Sequence, residues 1–190
     1  MIASIKFSDD YLNYISDLIS QLDRNHISKF VDHVLGVRDN KQTIFFLGNG
    51  GSASTASHFV NDISLGSRQF ENPFRAVSLC DNQAVITAIA NDDGYENIFL
   101  QQLQTQAKSG DSMVCISASG NSQNLVKAVE WSKANGIYTI SLTAFDGGYL
   151  KKNCNISIHV NAMNYGISED AHHILMHVIL QYLINYLKKN

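Results

Sequence analysis

Apolar residues recur every three to four positions through the first forty residues. Tyr11, Ile15, Leu18, Ile19 and Leu22 form one stripe, and Ile27, Phe30, Val31, Val34 and Leu35 a second. This spacing predicts two amphipathic helices, with Ser8 or Asp9 capping the first and Gly36 closing the second. From Thr43 onward the pattern alternates between short apolar runs and helical stripes. Strands are expected at 43–47, 75–79, 112–117, 137–142 and 156–160. Helices are expected near 54–65, 83–90, 96–108, 122–135 and 169–188, with a turn at Asp146-Gly147-Gly148. Strict strand–helix alternation predicts a doubly wound α/β fold, with five parallel strands and helices on both faces. The chain reads as one domain over 1–190, with a helical pair at 1–40 ahead of an α/β core at 41–190. The helical pair packs either on its own core or against a partner subunit.

Two strand-to-helix turns carry the chemistry. After Thr43-Ile44-Phe45-Phe46-Leu47 comes Gly48-Asn49-Gly50-Gly51-Ser52, a turn nearly free of side chains that leads into a helix. Its uncovered amides, the Ser52 hydroxyl and the positive end of the helix dipole together suit an anion such as phosphate. Gly48-x-Gly50-x-x-Ala53 also fits the loose dinucleotide fingerprint, and a turn that binds nothing is the plainer alternative for this loop alone. No Gly-Lys-Ser/Thr follows, so a Walker loop is excluded. After Ser112-Met113-Val114-Cys115-Ile116 comes Ser117-Ala118-Ser119-Gly120-Asn121-Ser122, of the same design. In sheets of this kind ligands sit beyond the carboxyl ends of the strands, where both loops fall. Two hydroxyl-rich loops suit a compact phosphosugar better than a nucleotide, so no nucleotide cofactor is expected.

Composition narrows the classes. The 190 residues are 45% apolar and 16% charged, with a net charge of -3. A chain of this length buries about 70% of its unfolded surface. No lysine or arginine cluster offers a footprint for nucleic acid. No apolar run reaches membrane length, and Asp9 and Asp10 stand where a secretion signal needs basic residues. Cys80, Cys115 and Cys154 lack paired spacing and read as buried reduced thiols. A soluble, cytoplasmic protein is expected.

Histidine and carboxylate pairs supply candidate acid–base groups. His58 and Asp62 are spaced i, i+4 on one helix; Glu169 with His173, and His173 with His177, repeat the spacing on the last. A lone histidine is more often structural, but such pairs on two helices near both loops point to proton transfer.

The run Gly48-Asn49-Gly50-Gly51-Ser52 to His58, then Asp81 and Thr87-Ala88-Ile89-Ala90-Asn91-Asp92, resembles the sugar isomerase (SIS) domain. So do Ser117 through Ser122 and Leu142-Thr143-x-x-Asp146-Gly147-Gly148, and within that family the match is to phosphoheptose isomerases. The resemblance implies aldose–ketose isomerisation of sedoheptulose 7-phosphate to D-glycero-D-manno-heptose 7-phosphate through an enediol, for surface-polysaccharide heptose. It assigns Asp62 and His177 to catalysis. Asn49, Gly50, Gly51, Ser52, Asn91, Asp92, Ser117, Ser119, Ser122 and Glu169 are assigned to substrate binding. It implies a zinc site at His58, Asp62, Glu169 and His177, and a homotetramer with sites at subunit contacts. Asp62 stands for the family glutamate, Glu169 for a glutamine, Ala118 for a threonine and Thr55 for an aspartate. Ile167 and Ser168 stand where an arginine is usual. The alternative is a non-catalytic phosphosugar-binding SIS protein acting as an interaction module, of the kind that associates with the replication initiator.

Overall fold

A computed structural model describes residues 3–189. Two helices, α1 (Ala3–Ser20) and α2 (Arg24–Asp39), precede strand β1 (Thr43–Gly48) and helix α3 (Gly51–Ser67). Then follow β2 (Arg75–Ser78), α4 (Gln83–Asp92), a 3-10 turn at Tyr95–Asn97 and α5 (Ile98–Gln106). The second half runs β3 (Ser112–Ser117), α6 (Gln123–Ala134), β4 (Tyr138–Thr143), α7 (Gly148–Asn153), β5 (Ile156–His159) and α8 (Tyr165–Leu187).

The five strands are parallel in the order β2-β1-β3-β4-β5. Side-chain alternation along the strands creates two cores. Ile44, Phe46, Val114, Ile116, Ile140 and Leu142 face one way, into a layer that includes residues of α1, α2, α3 and α8. Phe45, Leu47, Met113 and Cys115 face the other, against α5, α6 and Leu150 of α7. Helices on both faces are what β-strands hydrophobic on both sides require. The chain leaves β1 toward β2 and returns past it to β3. A crevice therefore opens between the carboxyl ends of β1 and β3, at the point where the winding reverses.

Local readings of the helix ends needed correction. Helix α1 starts at Ala3, so Ser8 and Asp9 lie inside it, and the Ser8 hydroxyl donates to the Ser4 carbonyl at 2.9 Å. Gly36 lies within α2, which ends at Asp39 and is capped by Asn40, whose N–H bonds the carbonyls of Arg38 and Gly36. The expected turn at 146–148 continues into α7. Helix α8 begins at Tyr165 rather than 169, with the Asn164 side chain accepting from the Ile167 N–H. Capping decided that start. Among the described residues, no helix is long and apolar enough to cross a membrane.

The three cysteines are free, and burial raises each thiol above its usual range. They remain protonated and inert.

Candidate active site

Both hydroxyl-rich loops close on one pocket. Asn49 and Ser52 come from the turn after β1, and Ser117, Ala118, Ser119 and Ser122 from the turn after β3. Tyr165 and Glu169 of α8 complete a cavity of about 120 Å³. The Ser117 Oγ accepts from the Gly120 N–H at 3.1 Å, and the Ser119 Oγ from the Asn121 N–H at 3.4 Å. These contacts use lone pairs and leave both hydroxyl protons to donate to an anion. Ser122 stands at the N-cap of α6 without a side-chain capping bond. The N-termini of α3 and α6 flank the pocket, so donors and dipoles favour negative charge, with no lysine or arginine among the described lining residues.

Glycine is demanded by close approach. Gly120 has φ +65°, and a Cβ there would run into the Gly147 carbonyl. The Gly120 carbonyl in turn accepts from the Leu150 N–H. At Gly51 a Cβ would collide with the Glu169 carboxylate. Ala118 is buried in the core layer beneath the serines, where its methyl packs.

Cross-links hold the first loop in place. Asn49 and Asn124 exchange amide hydrogen bonds at 3.0 and 2.9 Å, and the Tyr95 hydroxyl donates to Asn49 Oδ1 at 2.9 Å. Asp81 accepts from Ser78 at 3.0 Å and from Ser57, tying the end of β2 to α3. Phe145, at φ +52°, packs its ring on Tyr165 at 4.8 Å.

Helices α3 and α8 run side by side in parallel. Gly51 meets Glu169, Thr55 meets His173 at 3.5 Å, His58 meets His177 at 3.1 Å, and Gly66 meets Ile184. The serine pocket lies at the head of this pair, with the histidines further along it. Asp62 Oδ2 is 3.1 Å from His58 Nε2 and 3.6 Å from His177 Nε2, and Asp62 Oδ1 accepts from Asn61 Nδ2 at 3.0 Å. Tetrahedral bonds of about 2.0–2.2 Å place neighbouring donors roughly 3.3–3.6 Å apart; the three separations here, 3.1, 3.1 and 3.6 Å, come within about 0.2 Å of that range, which a zinc-class ion spans after a small side-chain adjustment. Three imidazoles converge, His58, His173 and His177, with donor atoms all within 4.8 Å of one another. Burial and the neighbouring imidazoles hold His173 below the usual histidine range.

Of the residues expected from sequence, Asn49, Ser52, Ser117, Ser119, Ser122 and Glu169 line the pocket, with Gly50 and Gly51 in its turn. His58, Asp62 and His177 form the cluster. Glu169 is not in the three-imidazole group. Asn91 and Asp92 lie exposed at the end of α4, Asn91 donating to Asp92 at 2.7 Å, and they do not line the pocket of this chain. Sequence reasoning missed His173 as a cluster member, Tyr165, and the Asn124–Tyr95 brace. His173 was legible from its i, i+4 relation to His177. Tyr165 lies ahead of the expected helix start at 169, and the brace spans distant segments.

A family model described as SIS domain matches residues 10–144. The chain belongs to the SIS domain family. It is 34% identical over 154 residues to the phosphoheptose isomerase of Aneurinibacillus thermoaerophilus, covering 80% of this chain and 77% of that protein. The phosphoheptose isomerase structure from Francisella tularensis superposes with a TM-score of 0.87 at 24% identity, covering 97% of this chain and all of that one. That from Neisseria gonorrhoeae gives 0.86 at 24%, covering 95% and 96%. This SIS protein is an enzyme, an isomerase of the phosphoheptose isomerase type.

Proposed function

We infer that this SIS enzyme interconverts sedoheptulose 7-phosphate and D-glycero-D-manno-heptose 7-phosphate, supplying heptose for surface polysaccharide from the cytoplasm. The observation that carries the reading is the placement of an anion pocket and a carboxylate–imidazole cluster along one helix pair. Ser52 and His58 are six residues apart, about 9 Å of helical rise. In an open seven-carbon chain the phosphate-bearing carbon lies roughly 7–8 Å from the carbonyl end, given carbon–carbon bonds of about 1.5 Å. A five-carbon chain falls short of that span.

The serine hydroxyls and helix N-termini hold the phosphate, and the sugar extends along α3 toward the cluster. Asp62 takes the proton beside the carbonyl, and His177 shuttles a proton between the oxygens of the resulting enediol. The conjugate acid of Asp62 then returns its proton to the neighbouring carbon. His58, 3.1 Å from both, orients the pair. A zinc-class ion fits donors His58, Asp62 and His177, with Glu169 as the fourth position that family resemblance implies. An ion held by these residues would supply Lewis-acid polarisation of the sugar carbonyl.

The site is completed in a homotetramer. Helix α4 contributes no buried residue, and Asn91 and Asp92 at its end lie exposed. Phe7 and Leu12 on α1, and Val178 and Tyr182 on α8, expose apolar surface suited to subunit contacts. Light scattering giving a stable monomer at micromolar concentration overturns the shared site.

The decisive assay is solvent exchange. The enzyme in deuterated buffer, offered ketose phosphates of five, six and seven carbons, is expected to incorporate deuterium at carbon 1 or 2 fastest with the heptulose. Absence of exchange with every member of the panel rejects isomerisation.

A further inference from the structure

The proposed function places an ion on His58, Asp62 and His177 and takes its fourth position from family resemblance alone. We propose that the fourth protein ligand is His173 and not Glu169, so that the ion is held by the imidazoles of His58, His173 and His177 beside Asp62. Glu169 remains with the serine pocket. The inference rests on the reading that the cluster holds a metal.

Four observations carry it. First, the three imidazoles come from two helices and face one another, with ring centroids 4.7, 4.7 and 5.2 Å apart. Among the described residues they form the group whose donor atoms all fall within 4.8 Å. Second, the hydrogen bonding around His58 Nε2 is overcommitted. It lies 3.1 Å from His177 Nε2 and 3.1 Å from Asp62 Oδ2, yet a neutral ring nitrogen has one proton or one lone pair to offer. A single cation satisfies all three atoms, whereas protons satisfy them only in part.

Third, His173 is already oriented as a ligand. The Thr55 hydroxyl donates to the Gly51 carbonyl at 3.3 Å, so its lone pair faces His173 Nδ1 at 3.5 Å. That arrangement favours the Nδ1–H tautomer and leaves Nε2 a free lone pair, as outer-shell partners do for metal-bound histidines. Fourth, Glu169 has other work. Its carboxylate covers Gly51 and lines the pocket with Ser52 and Ser122, at the head of the helix pair. From there it faces the sugar between the phosphate loop and the cluster. A donor set of imidazoles with one carboxylate favours zinc, cobalt or nickel over magnesium or calcium.

The test uses the full-length protein freed of metal and titrated with cobalt(II), then displaced with zinc. The parent is expected to bind one cobalt per chain with the intense visible absorption of a four-coordinate site. His173→Ala should weaken cobalt and zinc binding by on the order of 100-fold, since losing a ligand costs no less than losing an outer-shell partner. Glu169→Gln should stay within about threefold of the parent. The reverse pattern, with Glu169→Gln weakened and His173→Ala unchanged, overturns the assignment of His173 while leaving a metal site in place. X-ray absorption at the zinc edge of the unmutated protein is independent of any folding defect in the variants. Three imidazoles are expected, and two overturn the proposal. A parent that binds neither cobalt nor zinc overturns this inference and the metal part of the proposed function together, whereas the isomerisation reading is judged separately by solvent exchange.

Discussion

The serine pocket and the histidine cluster share helices α3 and α8 but are built differently. The pocket is made of turns pinned from several sides: Ser117 to Gly120, Asn49 to Asn124 and Tyr95, and Gly120 against the turn after β4. Its donors are backbone and hydroxyl groups fixed before a ligand arrives, which lowers the ordering cost of binding. The cluster consists of long side chains standing on helix surfaces, with the His58 and His177 side chains 46% and 44% exposed. Its geometry comes from i, i+4 spacing and from the parallel alignment of the helices. On the proposed function, anchoring the phosphate thus falls to the sheet end. On the same reading, proton transfer falls to a helix pair that the proposed neighbouring subunit or ion would tighten.

That contrast breaks most sharply in kinetics. Asp62→Asn and His177→Ala should each lower kcat by about 10³-fold, within the span typical of lost acid–base groups, while substrate affinity stays within several-fold. Steady-state rates with equilibrium binding check this, and parental turnover in both variants would place the chemistry elsewhere.

A third histidine on α8 separates structural from chemical roles. His172 is fully buried with neither ring nitrogen in hydrogen-bond geometry. Burial pushes its pKa down to about 4, with the Thr143 backbone offsetting part of the effect and His159 adding to it. The unfolded chain then takes up the proton first as pH falls through about 6.5, so stability is lost between there and about 4. The loss approaches roughly 3 kcal/mol for a shift of this size. Urea denaturation at pH 7 and pH 4.5 should reveal the slope, and His172→Leu should flatten it. An identical slope in the variant assigns the acid sensitivity to other groups.

Smaller effects sharpen the pocket side. Ser119→Ala should weaken binding by about 1.5–3 kcal/mol for one lost hydrogen bond to a charged group, with kcat preserved. Calorimetry with inorganic phosphate and sugar phosphate reads this directly; unchanged affinity removes Ser119 from the phosphate contacts. Tyr95→Phe, which frees Asn49 from one exposed hydrogen bond, should cost about 0.5–1 kcal/mol in binding. A larger kcat than binding effect would instead make the Asn49 brace part of proton-transfer geometry.

Legibility in the sequence followed the range of the interactions. Strand periodicity and the two glycine–serine turns were readable because they depend on neighbours within about ten residues. The start of α8 is local yet lies four residues ahead of the expected 169, because the Asn164 side chain caps the helix there. The i, i+4 pairs were readable as pairs, but periodicity along one helix says nothing about a second. That His58 and His177, 119 positions apart, lie 3.1 Å from one another follows from α3 and α8 packing in parallel on the same sheet face.

By itself, therefore, the chain determined alternating elements, two anion-ready turns and the chemical types of its acid–base groups, because backbone conformation and side-chain spacing are set locally. Only the folded arrangement decided that both turns close on one pocket, that Glu169 lies over Gly51, and that His173 rather than Glu169 joins the imidazole group. These are contacts between segments far apart in the chain, 75 positions for Asn49 with Asn124 and 119 for His58 with His177, selected by burial of both sheet faces and by how closely glycine lets neighbouring helices approach.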